Sequence, residues 1–308
     1  METKKITVIG STNMDMVVKT THLPVPGETV LGGSFFMNPG GKGANQAVAV
    51  ARLGGDATFV TKIGMDVFGK QSAQLFDEEG INTSCILSDH TSPSGVALIM
   101  VDQMGENSIA VASGANANLM PEDVERCLRK IGAIDIILLQ LEIPLETVDF
   151  VTQYAAGKNI KVIVNPAPAN LLSPELLKRI DIITPNSKEV EMLSGVEVKG
   201  MEDAKKAATV LYEKGVKNVI VTLGPVGALV LTEEGFTMVP AQKVNTVDTT
   251  AAGDVFNGAL AVALAEEQEI IPAVEFACLA AALSVTKLGA QSSIPYRNEL
   301  IAKKMSFI

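Results

Sequence analysis

A chain of 308 residues, 47% hydrophobic and 19% charged, carries enough apolar material for a large core, which excludes wholesale disorder. Lys and Arg number 25 against 35 Asp and Glu, a formal net charge of −10, so neither a nucleic-acid surface nor an anionic membrane surface is expected. His22 and His90 are the only histidines, and Cys85, Cys127 and Cys278 are widely spaced with no CxxC pair. Zinc sites and His-dependent triads therefore have little to work with, and reduced thiols in a cytoplasmic protein are expected.

The first apolar run, Ile6–Ile9, reads as a strand rather than a signal peptide. It is followed at Gly10-Ser-Thr-Asn13-Met-Asp15 by two polar side chains at i and i+2, which share a face if the chain is extended. Residues 12–38 then show strand-like Thr29–Met37 with turn signals at Pro24 and Pro26–Gly27 but no helix. Pro39-Gly-Gly-Lys-Gly-Ala-Asn45-Gln46 opens a helical stretch, Lys42–Leu53, with glycines that admit close backbone approach and an Asn suited to a sugar diol. Gly64–Lys70 has the spacing of a phosphate-binding loop, but Gln71 replaces the Ser or Thr that would hold Mg²⁺, so it is read as the turn that starts a helix over Phe68–Glu79. A second helix-free segment, about residues 93–112, contains Gly95–Val101 and Asn107–Val111. Together with 12–38 it is expected to form a small antiparallel sheet, a candidate lid.

From there, short apolar runs at Ile136–Leu139, Lys161–Val164, Ile182–Ile183 and Val219–Thr222 alternate with helical stretches. Those are Pro121–Lys130, Leu145–Ala156, Ser187–Leu193 and Ala204–Lys214. This predicts an α/β fold with a doubly wound, mostly parallel sheet flanked by helices. In such sheets ligands sit beyond the carboxyl ends of the strands. There the runs present Glu142, Asn165, Asn186 with Glu189, and Thr222. One such residue is more often a cap or turn; an aligned series points to a site.

The strongest local signal is Asn245-Thr-Val-Asp-Thr-Thr-Ala-Ala-Gly-Asp254, which opens an Ala-rich, nearly uncharged helix, Ala251–Ala265. Small residues at a helix start let backbone N–H groups reach an anion. Asp254 in such a cradle is electrostatically awkward unless it takes a proton from an attacking hydroxyl. A further Ala-rich helix is expected over Ala273–Lys287.

The segments Gly10–Asp15, Gly40–Gln46, Asn165–Ala169, Asn186–Glu189 and above all Asp248–Asp254 resemble the ribokinase-type carbohydrate kinases, in that family's order and over nearly the whole chain. The resemblance implies one α/β domain over 1–308 and ATP-dependent phosphorylation of D-ribose at O5, with Asp254 as base and an anion hole from Ala251, Ala252 and Gly253. It implies sugar contacts from Asn13, Asp15, Gly41, Lys42, Gly43, Asn45 and Glu142, and Asn186 with Glu189 on the Mg²⁺–phosphate side. Asn186, Thr222, Leu223, Gly224, Gly227 and Gly253 would line the nucleotide, with Cys278 where the family often has Asn or His beside the adenine. A K⁺ site would draw on Asp248, Thr250, Ser284, Lys287, Gly289 and Ser293, with Lys287 serving only through its carbonyl. The lid would also make a homodimer. Other members of the family phosphorylate deoxyribose, fructose, sugar phosphates or nucleosides, and deoxyribose differs from ribose by a single hydroxyl. The absence of Arg near the sugar motifs argues against a sugar phosphate. A non-catalytic sugar sensor on the same fold is the alternative of another class, and Asp254 within its cradle argues against it.

Overall fold

The computed structural model describes residues 4–305, so the outermost residues of the expected 1–308 span lie outside the described part. Among the described residues there are thirteen strands: β1 (Lys5–Ile9), β2 (Asn13–Lys19), β3 (Ser34–Gly40), β4 (Asp56–Gly64), β5 (Asn82–Asp89), β6 (Gly95–Val101) and β7 (Asn107–Ala112), followed by β8 (Ile136–Leu139), β9 (Lys161–Val164), β10 (Ile182–Ile183), β11 (Asn218–Thr222), β12 (Gly227–Thr232) and β13 (Gly235–Pro240). Nine of them form one sheet in the order β13-β12-β11-β10-β9-β8-β1-β4-β5. It is parallel from β11 to β5, while β12 runs antiparallel to both β11 and β13.

The parallel strands are apolar on both faces because helices cover both. Ile6, Val8, Ile136, Leu138, Ile163, Ile182 and Ile220 point into one core, against the helices Lys42–Arg52, Ala252–Ala265 and Ile270–Ser284. Their alternates Ile9, Ile137, Leu139, Val162, Val164, Ile183, Val219 and Val221 point into the other, against Pro121–Ile131, Leu145–Ala155, Ser187–Ser194 and Met201–Glu213. The Ala-rich helix is buried from Asp254 to Ala265. Its Gly258 matters for the site: a Cβ there would come within 2.5 Å of Ala49 Cβ, so the helices 252–265 and 42–52 touch closely only because that position is bare.

Residues 64–78 settle the phosphate-loop lookalike. Asp66 caps the helix Val67–Glu78 by accepting the Gly69 N–H at 2.8 Å, an ordinary helix start.

The other four strands form a separate sheet, β3-β2-β6-β7, from the two helix-free segments. It is mixed where a fully antiparallel sheet was expected: β2–β3 and β6–β7 are antiparallel, but the central pair β2–β6 is parallel. The reason is connectivity. The segment between β2 and β6 passes through the main sheet as β4 and β5, and such a return brings β6 back in the same direction as β2.

Candidate active site

The carboxyl ends of β11, β10, β9 and β8 stand side by side, so Thr222, Asn186, Asn165 and Glu142 line one edge in that order, as their spacing predicts. Asn186 and Thr222 are joined by a β-bridge.

Asp254 lies in the first turn of its helix and is 5% exposed. Close packing of the helix 42–52 brings two amides onto its carboxylate: Asn45 Nδ2 donates to Oδ2 at 2.9 Å and Gln46 Nε2 to Oδ1 at 3.0 Å. Burial nonetheless raises its pKa, outweighing the Lys42 ammonium and the two amide donors. A carboxylate whose ionised form is this disfavoured is a better proton acceptor than an ordinary aspartate. Asn45 Oδ1 is buried without a hydrogen-bond partner among the described residues, an unsatisfied acceptor within the site. Just before the helix, Ala251 adopts φ 61°, a left-handed conformation that a non-glycine residue takes at a cost of about 1–2 kcal/mol. The turn presents Gly253 to open space. The Ala252 N–H is the exception in the expected anion cradle, because it donates to Thr249 O at 3.2 Å.

A second cluster centres on Glu142. Its Oε2 accepts from Ser11 Oγ at 2.5 Å, the Lys42 N–H at 3.1 Å and Asn13 Nδ2 at 3.5 Å. Asn13 is in turn held by Asn116, which donates to Asn13 Oδ1 at 2.8 Å. Gly41 starts the helix at φ 89°, with Thr12 and Asn13 so close that a Cβ would lie 2.7 Å from the Asn13 N–H nitrogen. Asp15, next on the same face of β2, has its pKa raised to about 7 by burial and by the charges of Glu142 and Asp254. Lys42 answers them: burial opposes its ammonium, but Asp254, Glu142, Glu189 and Asp15 outweigh that and raise its pKa. Gly43, in the first turn of the same helix, is buried beneath this cluster. One strand of the small sheet (Asn13, Asp15), the helix 42–52 (Lys42, Asn45), the loop after β8 (Glu142) and the helix 252–265 (Asp254) thus converge.

Asn186 and Glu189 form a closed capping box. Asn186 Oδ1 accepts the N–H groups of Lys188 and Glu189 at 2.9 and 3.0 Å, and Glu189 Oε2 accepts the Asn186 N–H at 2.8 Å. Burial raises the pKa of Glu189. Beyond Thr222, the Leu223 N–H donates to Gly227 O at 2.8 Å across a short 3₁₀ turn that leaves Gly224 exposed. A recess of about 550 Å³ opens at Lys243, Val244, Asn245, Val247 and Thr286. Cys278 sits inside the apolar core, 7% exposed, and burial pushes its thiol up to about 12. It offers little surface to a nucleotide.

Asp248 ties two loops together, accepting from the Thr250 N–H and Oγ1 (2.9 and 2.6 Å) and from the Gly289 N–H (2.9 Å). These bonds overcome its burial and hold its carboxyl below the usual range, so it is ionised. Lys287 turns its ammonium away to Glu299 Oε1 at 2.6 Å, which leaves its carbonyl as its only donor to a cation. Ser284 and Ser293 are fully buried beside it in sequence. A carboxylate and backbone carbonyls are hard oxygen donors, the set an alkali cation takes. Among the described residues no group of three or more His, Cys, Asp and Glu could hold a metal ion.

Several participants escaped the sequence reading: Ser11, Asn116, Gln140, Thr184 and Asn257. Thr184 Oγ1 donates to Asn257 Oδ1 at 2.6 Å, and Asn257 Nδ2 to Gly253 O at 2.8 Å, which anchors the start of the helix from below. Ser11 lies inside the Gly10–Asp15 segment and Asn116 in the short 3₁₀ turn Gly114–Asn118, while Gln140, Thr184 and Asn257 show only as a polar residue within an otherwise apolar run.

Residues 3–297 match the profile described as pfkB family carbohydrate kinase. The chain is 46% identical over 298 residues to the ribokinase of Haemophilus influenzae, with 97% of each chain covered. It is 40% identical over 291 residues to a deoxyribokinase of Salmonella typhi, covering 94% of this chain and 95% of that one. The structure of an Arabidopsis thaliana ribokinase complexed with ribose and ATP superposes with a TM-score of 0.90 at 33% identity, over 97% of this chain and 98% of the other. With the family profile matched over residues 3–297 and a relative 46% identical over 97% of the chain, the chain belongs to the pfkB family of carbohydrate kinases.

Proposed function

We propose that the protein transfers the γ-phosphoryl group of ATP to O5 of D-ribose, giving D-ribose 5-phosphate and ADP. The observation that carries the reading is Asp254, a buried carboxylate of raised pKa at the open start of a helix, beside Asn45 and the Glu142 cluster. Asp254 takes the O5 proton as the oxygen attacks phosphorus, and the bond to the ADP oxygen breaks. Backbone N–H groups of the 251–253 turn, with Gly253 foremost, stabilise the charge on the transferring group. Asn13, Asp15 and Glu142 accept from or donate to the sugar hydroxyls, Asn45 Oδ1 gains the partner it lacks, and the backbone of Gly41–Gly43 closes the floor. The Lys42 charge balances the surrounding carboxylates.

Thr222–Gly227 would line the nucleotide, and Asn186 and Glu189 would serve its Mg²⁺–phosphate side. That ion, when bound, neutralises phosphate charge. Asp248, Thr250, Ser284, Lys287, Gly289 and Ser293, several of them through backbone carbonyls, would hold K⁺, whose charge would tie down the loop carrying the 251–253 turn. The chain acts as one domain in which the small sheet is the lid. A second copy covers its outer face, where Phe35, Met37 and Leu98 are 59%, 47% and 55% exposed. Three free cysteines suit a cytoplasmic protein.

A coupled ADP-release assay across ribose, 2-deoxyribose, fructose and adenosine tests the reading. Ribose should give the highest kcat/KM. Preference for 2-deoxyribose would transfer the assignment to the activity in the name of the Salmonella relative, and no release with any acceptor would favour a sugar sensor.

A further inference from the structure

Two fully buried glutamines stand behind Asp254. Gln46 Nε2 donates both to Asp254 Oδ1 at 3.0 Å and to Asn165 Oδ1 at 3.2 Å, and Gln46 Oε1 accepts from Gln140 Nε2 at 2.5 Å. Gln140 follows β8 directly, and its own Oε1 has no partner among the described residues. An amide has a donor end and an acceptor end, so this chain has a sense. Were Gln46 turned over, its oxygen would meet a carboxylate oxygen and the Asn165 oxygen, and its NH₂ would meet the NH₂ of Gln140.

We propose that Gln140 and Gln46 are positioning residues of the phosphoryl transfer: Gln140 fixes the sense of the Gln46 amide, and Gln46 holds Asp254 Oδ1 so that Oδ2, shared with Asn45, faces the reacting hydroxyl. The inference rests on Asp254 being the base. A merely structural role accounts poorly for Gln140, because a buried, unpartnered carbonyl oxygen is a standing cost that a leucine of similar size would not carry. It is explained if the other end of the same amide has a task. Burial disfavours the ionised form of Asp254 most, Lys42 favours it, and Glu142, Asp15 and Glu189 disfavour it further. Against three carboxylates and one ammonium, the Gln46 donor is one of two hydrogen bonds that keep the base ionised.

The test compares Gln140→Leu and Gln140→Glu with wild type and with Asp254→Asn, reading kcat, the sugar KM, the thermal midpoint and the pH profile of kcat/KM. Either variant removes the Gln140 donor from Gln46 Oε1, so the Gln46 amide is free to turn its donor off Asp254, and kcat falls by about ten-fold or more. This leaves the sugar KM little changed and moves the acidic limb to higher pH, further for Gln140→Glu, which adds a fourth carboxylate. Wild-type kcat with an unmoved limb overturns the proposal, as does a fall in kcat that tracks a lower thermal midpoint without a limb shift. If Gln140→Leu does not fold, Gln140→Glu, nearly identical in shape, carries the same test. Substantial turnover by Asp254→Asn removes the base assignment itself. An inactive Asp254→Asn beside Gln140 variants of wild-type behaviour removes only the relay.

Discussion

Asp254→Asn separates chemistry from folding at the centre of this site. The amide keeps the shape of the carboxyl but cannot take a proton from the sugar hydroxyl. General-base catalysis contributes about 10²–10⁴ in rate, or about 3–5 kcal/mol of barrier, so kcat should fall by that factor. The structure adds a second consequence. Asn45 and Gln46 each donate to a different oxygen of Asp254, and an amide has only one oxygen, so one donor loses its acceptor at a cost of about 1–3 kcal/mol. An opposing contribution comes from ionisation. The folded-state pKa of Asp254 is raised, so its ionised form destabilises the fold once pH exceeds the unfolded pKa, and replacing it by a neutral group relieves that burden. The two effects oppose each other, so the thermal midpoint at neutral pH should stay near or above that of wild type while turnover collapses. Coupled ADP release, ATP titration calorimetry and thermal unfolding measure the three quantities. Turnover within ten-fold of wild type, with intact ATP binding, would refute the assignment of the base.

The remaining expectations concern the sugar and the cation. Asp15 titrates at about 7 in the free protein, and a diol hydrogen-bonds best to its ionised form, so sugar binding near pH 7 should release protons and weaken as pH falls below 7. Calorimetry in buffers of different ionisation enthalpy checks this, and proton-neutral binding across pH 6–8 contradicts it. Asp248→Ala removes the acceptor for the N–H groups of Thr250 and Gly289. It should abolish any difference between K⁺ and Na⁺ in kcat at fixed ionic strength, and a preserved K⁺ preference would place the ion elsewhere. In Gly41→Ala, a Cβ at φ 89° would lie 2.7 Å from the Asn13 nitrogen. Sugar KM should therefore rise more than the ATP KM, measured in the same coupled assay.

Much of the site was legible because its parts are local. The 248–254 motif lies at the start of one helix, the capping box Asn186–Glu189 spans four residues, and the strand ends project polar groups wherever an apolar run stops. The strands Asp56–Gly64 and Asn82–Asp89 were not foreseen because their apolar pattern is broken. Thr61 is fully buried and satisfied by Thr12, at 2.9 Å between hydroxyls, and Lys62 reaches Asp123 at 2.8 Å. The hairpin β12–β13 was missed as well, since its strands continue directly from the Thr222–Gly227 turn that the sequence marks as a ligand segment.

By itself the sequence determined the class of fold and the segments from which the proposed reacting groups come, because both depend on hydrophobic period and helix-start chemistry within a few residues. Tertiary structure alone decided the parallel pairing of β2 with β6, the burial of Cys278 and the raised pKa values of Asp15 and Asp254. It also decided the contacts of Gln46, which lies 94 and 208 residues from its partners Gln140 and Asp254. The physical reason is common to all of these. Pairing direction, desolvation and charge proximity depend on what lies across the fold, and no local pattern of residues encodes that distance.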